Sequence, residues 1–399
     1  MRGDRTLATP SHAASFDGRS ADPAEAAPAT PAGRAPGVAL PARGAGGPPR
    51  RGRAPVTLVL AGLSAASLVA LVAAVAFGPA RIAPAEVARA LWRPLARAAS
   101  AAPGPASWQE TIVWSIRLPR ALLGFVVGGA LALSGAALQG LFRNPLAEPS
   151  ILGVSGGASL GAVLMIFVGL AARAVWLLPA GAFAGAALTA FVVLGIAAQR
   201  GRGRVFTTTM LLVGVAVGAL NVAFTTFILS VSLSSYDVGR QVIHWILGGL
   251  DGRTWDHLWL ATPAILIGGA AILVCARELD ALLLGEVTAQ SIGVDVGRVR
   301  LVLVLATSLM IGAAVAAAGP IGFVGLLVPH ILRLGLGSAH RTLLPASFLG
   351  GGLFVVVADL AARALLSPME IPVGVVTAAV GAPLFLALLV RSGQEISDG

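Results

Sequence analysis

The sequence predicts an all-α polytopic membrane protein with about ten transmembrane helices. Hydrophobic residues make up 56% of the chain and charged residues only 12%, whereas ordinary soluble domains carry about 25% charged residues. Apolar runs of about 20 residues recur along the chain, and each could cross a hydrocarbon core of about 30 Å as a helix. The 50 glycines suit helices that pack closely in lipid.

The first 55 residues differ from the rest of the chain. Residues 1–55 are rich in Ala, Pro, Gly and Arg and lack any apolar period, so they cannot bury a core. We predict a disordered N-terminal tail there, a transmembrane domain over residues 56–392, and a short C-terminal tail at residues 393–399. Both tails are predicted to be cytoplasmic.

Ten apolar runs are predicted to cross the membrane, so both termini lie on one side. With that side inside, the cytoplasm holds eight arginines in the N-terminal tail and ten in loops and the C-terminus, out of 28. This bias agrees with the positive-inside rule. Residues 79–116 and 241–250 are predicted to hold short helices that do not span. The ten runs lie at 56–78, 120–141, 151–171, 175–198, 205–232, 257–276, 299–318, 320–336, 343–365 and 371–390.

The second run leads into a break in regular structure. Between Arg120 and Arg143 lie 22 uncharged residues, and the prolines within 144–149 then end the helix. Small residues follow one another along a single face, where another helix can approach closely. They are Gly124, Gly128, Ala132, Gly135 and Gly140.

A faint internal repeat accompanies this break. Residues 129–135 are echoed by residues 313–319, and each copy leads into a stretch rich in Pro and Gly. An odd number of crossings separates the copies, so they would run in opposite directions through the membrane. This pattern predicts a weak inverted repeat of the kind that builds a substrate path between two halves.

Three motif blocks resemble those of a known transporter family. The blocks are Arg117-Leu-Pro-Arg120 with Gly135, Gln139, Asn144-Pro-Leu-Ala-Glu-Pro149 and Leu152-Gly-Val-Ser155; Gly319-Pro-Ile-Gly-Phe-Val-Gly-Leu-Leu-Val-Pro-His330 with Arg333; and Glu370-Ile-Pro-Val-Gly-Val-Val-Thr377 with Pro383. Together they resemble the FecCD-like permeases of ABC importers for iron-siderophore complexes, haem and vitamin B12. The resemblance covers roughly residues 56–392 and implies the type II ABC importer permease fold.

The resemblance also implies partners. These are a second permease copy, with a homodimer expected, two separate ATPase subunits, and a periplasmic or lipid-anchored substrate-binding protein. The predicted location is the cell inner membrane. Arg117, Arg120 and Arg363 are predicted to receive acidic residues of the binding protein, although arginines at such positions often serve as simple interfacial anchors.

Two further sets of residues complete the predicted site. The segment 277–298 resembles the loop that contacts the ATPase, with Leu284, Gly285, Glu286 and Gly293 in that role; an amphipathic interfacial helix is the alternative. A translocation path or gate is predicted at Gln139, Asn144, Ser155, Gly156, Ser234 and Ser235, although serines also bond to their own helix carbonyls.

The chain is predicted to be no enzyme and to bind no cofactor of its own. It contains no lysine, which a standard phosphate-binding P-loop requires, so ATP and Mg²⁺ are expected on the separate ATPase subunit. A single cysteine and scattered histidines offer no metal-ligand spacing. The arginines are spread around apolar spans and form no basic face for nucleic acid.

The cargo is the least defined part of the prediction. An iron-siderophore complex is the main expectation, with haem or cobalamin as the alternative. Gly156, where some vitamin B12 permeases carry Asn, weakly disfavours cobalamin. A different class, the ion-coupled secondary transporter, remains open, and it would need buried acids for the coupling ion.

Overall fold

The computed structural model describes residues 56–80, 82–100, 107–200, 204–366 and 369–397. The predicted tail 1–55 lies outside these residues. The described residues form fifteen α-helices and no β-strand. The helices are α1 (Val56–Ala76), α2 (Pro84–Ser100), α3 (Trp108–Thr111), α4 (Leu118–Phe142), α5 (Val154–Phe167), α6 (Leu177–Arg200), α7 (Arg204–Ser232), α8 (Tyr236–Leu247), α9 (Trp255–Val274), α10 (Ala276–Leu283), α11 (Glu286–Ser291), α12 (Val296–Ala318), α13 (Val324–Leu336), α14 (His340–Ala364) and α15 (Val373–Ser397).

The predicted fold class is confirmed. Within the described residues, seven helices are long and apolar enough to cross a membrane: α1, α4 with the preceding turn, α6, α7, α9, α12 and α14. Shorter apolar helices account for the remaining three predicted runs, at α5, α13 and the first part of α15. Helices α2 and α8 are the predicted short helices. Helix α15 continues to Ser397, into the residues predicted as a C-terminal tail.

Helix α4 lies at the centre of the bundle, and most of its residues are buried. The predicted small-residue face of α4 is where its neighbours approach. A Cβ on Gly128 would lie 2.2 Å from the carbonyl oxygen of Gly351 in α14, and a Cβ on Gly135 would lie 1.9 Å from that of Gly325 in α13. Neither distance is compatible with a side chain. Glycine at these positions therefore sets how closely α13 and α14 pack on α4.

The bundle has an outer end, which carries Arg117 and Arg120, and an inner end, which carries Arg143. These names follow the predicted topology. Helices α4 and α14 each run from one end to the other. Because α14 is packed antiparallel to α4, its residue His340 lies at the inner end and Arg363 at the outer end.

Two helices begin inside the bundle and not at its surface. Gly153, which directly precedes α5, packs against Gly214 of α7. Gly214 is ten residues into α7 and therefore about 15 Å from the start of that helix. Gly325, at the start of α13, packs against Gly135, about 10 Å before the end of α4,. Since α5 runs toward the outer end and α13 toward the inner end, these two half-length helices have the opposed directions that the predicted inverted repeat requires.

Candidate functional site

The outer end holds a buried network of charged side chains centred on Arg120. Arg120 is 6% exposed; its guanidinium donates to Asp359 at 2.9 Å and forms an ion pair with Glu370, whose carboxylate oxygen lies 2.8 Å away. Asp251, whose side chain is mostly exposed, lies 3.9 Å away. Arg363 joins the network through Asp359, with Nε 3.1 Å from the second carboxylate oxygen. The carboxylate of Asp359 thus bridges two buried arginines.

The same arginines fasten the end of α1. Arg363 donates to the carbonyl oxygens of Ala74 and Phe77, and Arg117 donates to those of Val75 and Ala76 at 3.0 and 2.8 Å, and to that of Ala80. The last carbonyls of a helix lack partners within it and carry partial negative charge. Two guanidinium groups therefore cap α1.

The three arginines of the predicted docking site are bonded within the chain. Arg117, Arg120 and Arg363 do lie together at the outer end, but all three are buried and bonded within the chain. Asp359 could have been identified from sequence as a partner of Arg363, since it lies four residues before it. Glu370 was missed as a partner because it is 250 positions from Arg120. Their docking role stays a prediction.

The inner end carries the predicted coupling segment as two short helices, α10 and α11. Gly285 and Gly293 flank α11 with φ of +113° and +88°, values that favour glycine. Large apolar side chains around the turn are exposed, with Leu284 at 70% and Val287 at 81%. The predicted helical turn bracketed by glycines is present, and its apolar surface faces away from the bundle.

Glu286, a predicted coupling residue, is paired with arginines of the bundle. Its carboxylate lies 2.8 Å from Arg300 of α12 and 3.8 Å from Arg143 at the end of α4, and Arg300 is 5% exposed. Glu286 therefore points into the bundle and holds α11 in place. Its role in coupling to an ATPase stays a prediction, as do those of Leu284, Gly285 and Gly293.

A second attachment of the coupling segment was not predicted. Asp280 of α10 accepts hydrogen bonds from the backbone N–H of His340, at 2.8 Å, and from its ring Nδ1, at 2.7 Å. His340 is 1% exposed and is the first residue of α14, packed against Gly140. The carboxylate of Asp280 therefore caps α14 from another helix. No sequence spacing signals this pair, which lies 60 residues apart.

The first and second motif blocks meet where α13 begins. The Gln139 side-chain amide donates to the carbonyl oxygens of Gly325 and Leu326 at 3.3 and 3.2 Å. Glu148 accepts the backbone N–H of Phe323 at 3.1 Å, and Phe323 has a φ of +67°, which is uncommon for a bulky residue. Side chains of the first motif block therefore hold the start of α13, in the second motif block, in position.

The remaining predicted path residues do not form one cluster. Asn144 lies at the inner end and accepts the N–H of Leu146 at 2.9 Å. Ser155 and Gly156 lie in the first turn of α5. Ser234, beyond the outer end of α7, donates to the Val231 carbonyl at 2.8 Å, as the structural alternative predicts. Ser235 directly precedes α8, and both serines are exposed.

Within the described residues, seven apolar helices long enough to cross a membrane and three shorter apolar helices indicate a multi-pass membrane protein. The FecCD transport family matches residues 65–391, and the chain belongs to this family. The match extends over almost the whole of the described part of the chain. The predicted membership of the FecCD-like permease family is therefore confirmed.

Two curated relatives match more than two thirds of the chain. The cobalamin import system permease protein BtuC of Halobacterium salinarum is 48% identical over 280 residues, covering 70% of this chain and 73% of that protein. The vitamin B12 import system permease protein BtuC of Klebsiella pneumoniae is 44% identical over 283 residues, covering 71% and 83%. A solved structure described as an inward-facing putative metal-chelate type ABC transporter matches with a TM-score of 0.73 and 28% identity, covering 84% of this chain and 99% of that one.

Proposed function

We propose that this chain is the permease subunit of an ATP-driven importer for cobalamin or a closely related corrinoid. The observation that carries the proposal is the meeting of the two FecCD-type breaks, at Gln139, Glu148 and Phe323, inside a chain whose curated relatives are named cobalamin permeases. These names favour the alternative cargo over the iron-siderophore complex that the sequence analysis put first.

The objection from Gly156 loses weight in the structure. A Cβ on Gly156 would lie 3.4 Å from the Cβ of Asn221 in α7. Asn221 is buried and donates to Thr189 at 3.1 Å. A side-chain amide is therefore present beside this turn of α5, supplied by the neighbouring helix and not by position 156.

The proposed assembly contains two permease copies, two ATPase subunits and a binding protein. The ATPase would rest on the exposed apolar surface around Leu284 and Val287, and movement there would reach the bundle through Glu286 and Asp280. The binding protein would dock over the outer charge network, where its acidic residues would compete with Asp251 and Glu370 for Arg120. In the proposed orientation both termini lie in the cytoplasm.

The ion-coupled alternative has less support. Its coupling ion would need a buried carboxylate without a fixed partner. Asp359 is held by Arg120 and Arg363, and the Glu148 carboxylate accepts the Phe323 N–H. Neither group is arranged as a free ion ligand.

Reconstitution tests the proposal. Proteoliposomes containing the permease, its ATPase and its binding protein should take up radiolabelled cyanocobalamin when ATP is present, and an ionophore that collapses ion gradients should leave uptake unchanged. Ferric hydroxamate and haemin serve as competing cargo. Uptake of either in place of cyanocobalamin would overturn the cargo assignment, and uptake that follows an ion gradient without ATP would overturn the transporter class.

A further inference from the structure

A cleft of about 750 Å³ opens at the outer end beside α8. Four of its lining residues, Asp237, Arg240, Gln241 and His244, are spaced three or four positions apart along α8, so they share one face of that helix. Asp251 and Arg253, from the loop that follows α8, line the same cleft. The α8 wall of the cleft therefore carries a stripe of hydrogen-bonding groups beside the apolar side chains of Ile243, Trp245 and Leu247.

Helix α8 is held rigidly behind this stripe. Val242 is buried on its other side. At its end, Gly248 has a φ of +65° and packs so closely on Pro320 that a Cβ would lie 2.0 Å from the Pro320 carbonyl oxygen. The next residue, Gly249, donates its N–H to the carbonyl oxygen of Ala318 at 2.8 Å. The polar stripe is thus fixed in place before any ligand arrives, which reduces the cost of ordering it.

Arg253 has hydrogen-bonding capacity that the chain does not use. Its guanidinium lies 5.1 Å from the centroid of the Trp245 ring and 3.3 Å from the ring nitrogen of His257. Burial lowers the pKa of Arg253 to about 10, an effect that Asp251 partly opposes. In the part of the chain that the structure describes, its buried Nε has no hydrogen-bond partner. Because Arg253 lines the cleft, a polar ligand there could contact its side chain.

The charges in the cleft indicate the chemistry of that ligand. Two carboxylates, Asp237 and Asp251, balance two guanidinium groups, Arg240 and Arg253, so the cleft favours neither an anion nor a cation strongly. Carboxylates accept amide N–H groups, guanidinium groups donate to amide carbonyls, and Gln241 does both. A neutral molecule bordered by carboxamide groups matches this mixture better than an anionic chelate does.

We propose that this cleft binds the carboxamide-bearing edge of the corrinoid cargo as the cargo leaves the binding protein. The inference rests on the proposed function and adds the residues that select the cargo. Asp251 connects the cleft to the charge network, because it lines the cleft and lies 3.9 Å from Arg120. Cargo released over that network meets the α8 stripe beside it.

The test uses the assembled transporter in proteoliposomes and the double variant Gln241→Ala/His244→Ala. Uptake of cyanocobalamin below saturation should fall about tenfold, the factor expected when about 1.4 kcal/mol of binding is lost. The cargo-free binding protein should bind as before. Tyr236→Ala is the matched control, because Tyr236 is exposed on the same helix but does not line the cleft, and its uptake should match that of the unmodified chain.

A second variant tests selectivity and does not depend on the first. Asp237 should disfavour a cyanocobalamin derivative in which one carboxamide is hydrolysed to carboxylate, because like charges repel. Asp237→Asn should therefore raise uptake of this derivative relative to cyanocobalamin several-fold. An unchanged ratio, or unchanged uptake by the double variant, would overturn the inference. Loss of cargo-free binding-protein affinity would also overturn it, since the cleft would then be a protein-docking surface.

Failure of the proposed function gives a different result. If the unmodified transporter takes up no cyanocobalamin, the cargo assignment fails whatever the variants do. If cyanocobalamin enters equally well in the unmodified and double-variant transporters, the cargo assignment stands and the cleft inference fails.

Discussion

The two ends of the α4 and α14 pair are built on different principles. At the outer end, Arg120, Arg363 and Asp359 are buried and bonded to one another, and the chain satisfies its own charges. At the inner end, the coupling segment exposes apolar side chains such as Val287 and is attached to the bundle by Glu286 and Asp280. A partner at the outer end must compete with existing bonds, whereas a partner at the inner end gains contacts that the chain leaves open. Binding at the two ends should therefore differ in salt dependence, because charged contacts are screened and apolar contacts are not.

The largest effect is expected from removing Asp359. Asp359→Ala would leave Arg120 and Arg363 as buried cations with reduced pairing, and losing one member of a buried pair costs about 3–5 kcal/mol. The free energy of unfolding of the detergent-solubilised protein should fall by this amount. Asp251→Ala is the control: its carboxylate is mostly exposed and 3.9 Å from Arg120, so it should cost about 1 kcal/mol or less. Equal losses would show that the network does not depend on Asp359.

A smaller effect is expected at the inner end. Asp280→Ala would leave two buried donors of His340 without an acceptor, which costs about 1–3 kcal/mol. Cargo-stimulated ATP hydrolysis by the assembled transporter should fall, because α10 would no longer be held to α14. Asp280→Asn keeps an oxygen that can accept one of the two bonds, so it should retain part of the stimulation. Full stimulation in Asp280→Ala would show that this contact carries no coupling.

The smallest effect is expected from Gly293→Ala. The positive φ of Gly293 strains any residue with a Cβ by about 1 kcal/mol, although nothing lies within 4 Å of the added carbon. Thermal unfolding should shift slightly downward, with a proportionate loss of stimulated ATP hydrolysis. Gly195→Ala in α6 is the control, because Gly195 is exposed in a helix with open space around it. That change should leave stability equal or slightly higher.

The spans could be predicted from sequence because an apolar run of sufficient length has few other uses. The starting points of α5 and α13 could not be predicted in this way. Residues 319–323 are as apolar as the helix they precede, so hydropathy does not separate extended chain from helix there. The prolines and glycines marked a break, and the structure shows that the break lies inside the bundle.

Side-chain pairing was harder to predict than topology. Sequence placed Arg117, Arg120 and Arg363 at one end, but their partners come from Asp251, Glu370 and the carbonyls of α1. Such contacts depend on which helices become neighbours, and sequence spacing does not report this. Glu286 shows the same limit, because its pairing with Arg300 could not be read from sequence spacing.

The half-length helices also bear on how the chain enters the membrane during synthesis. With 14 and 13 residues, α5 and α13 are about 20 Å long as helices and too short to be inserted as independent spans. We therefore expect each to insert together with the longer helix that follows it, α6 for α5 and α14 for α13, as a helical hairpin. The glycines that let these arms pack closely, such as Gly157 against Gly185, would then act at biogenesis, before the finished permease has any cargo to move.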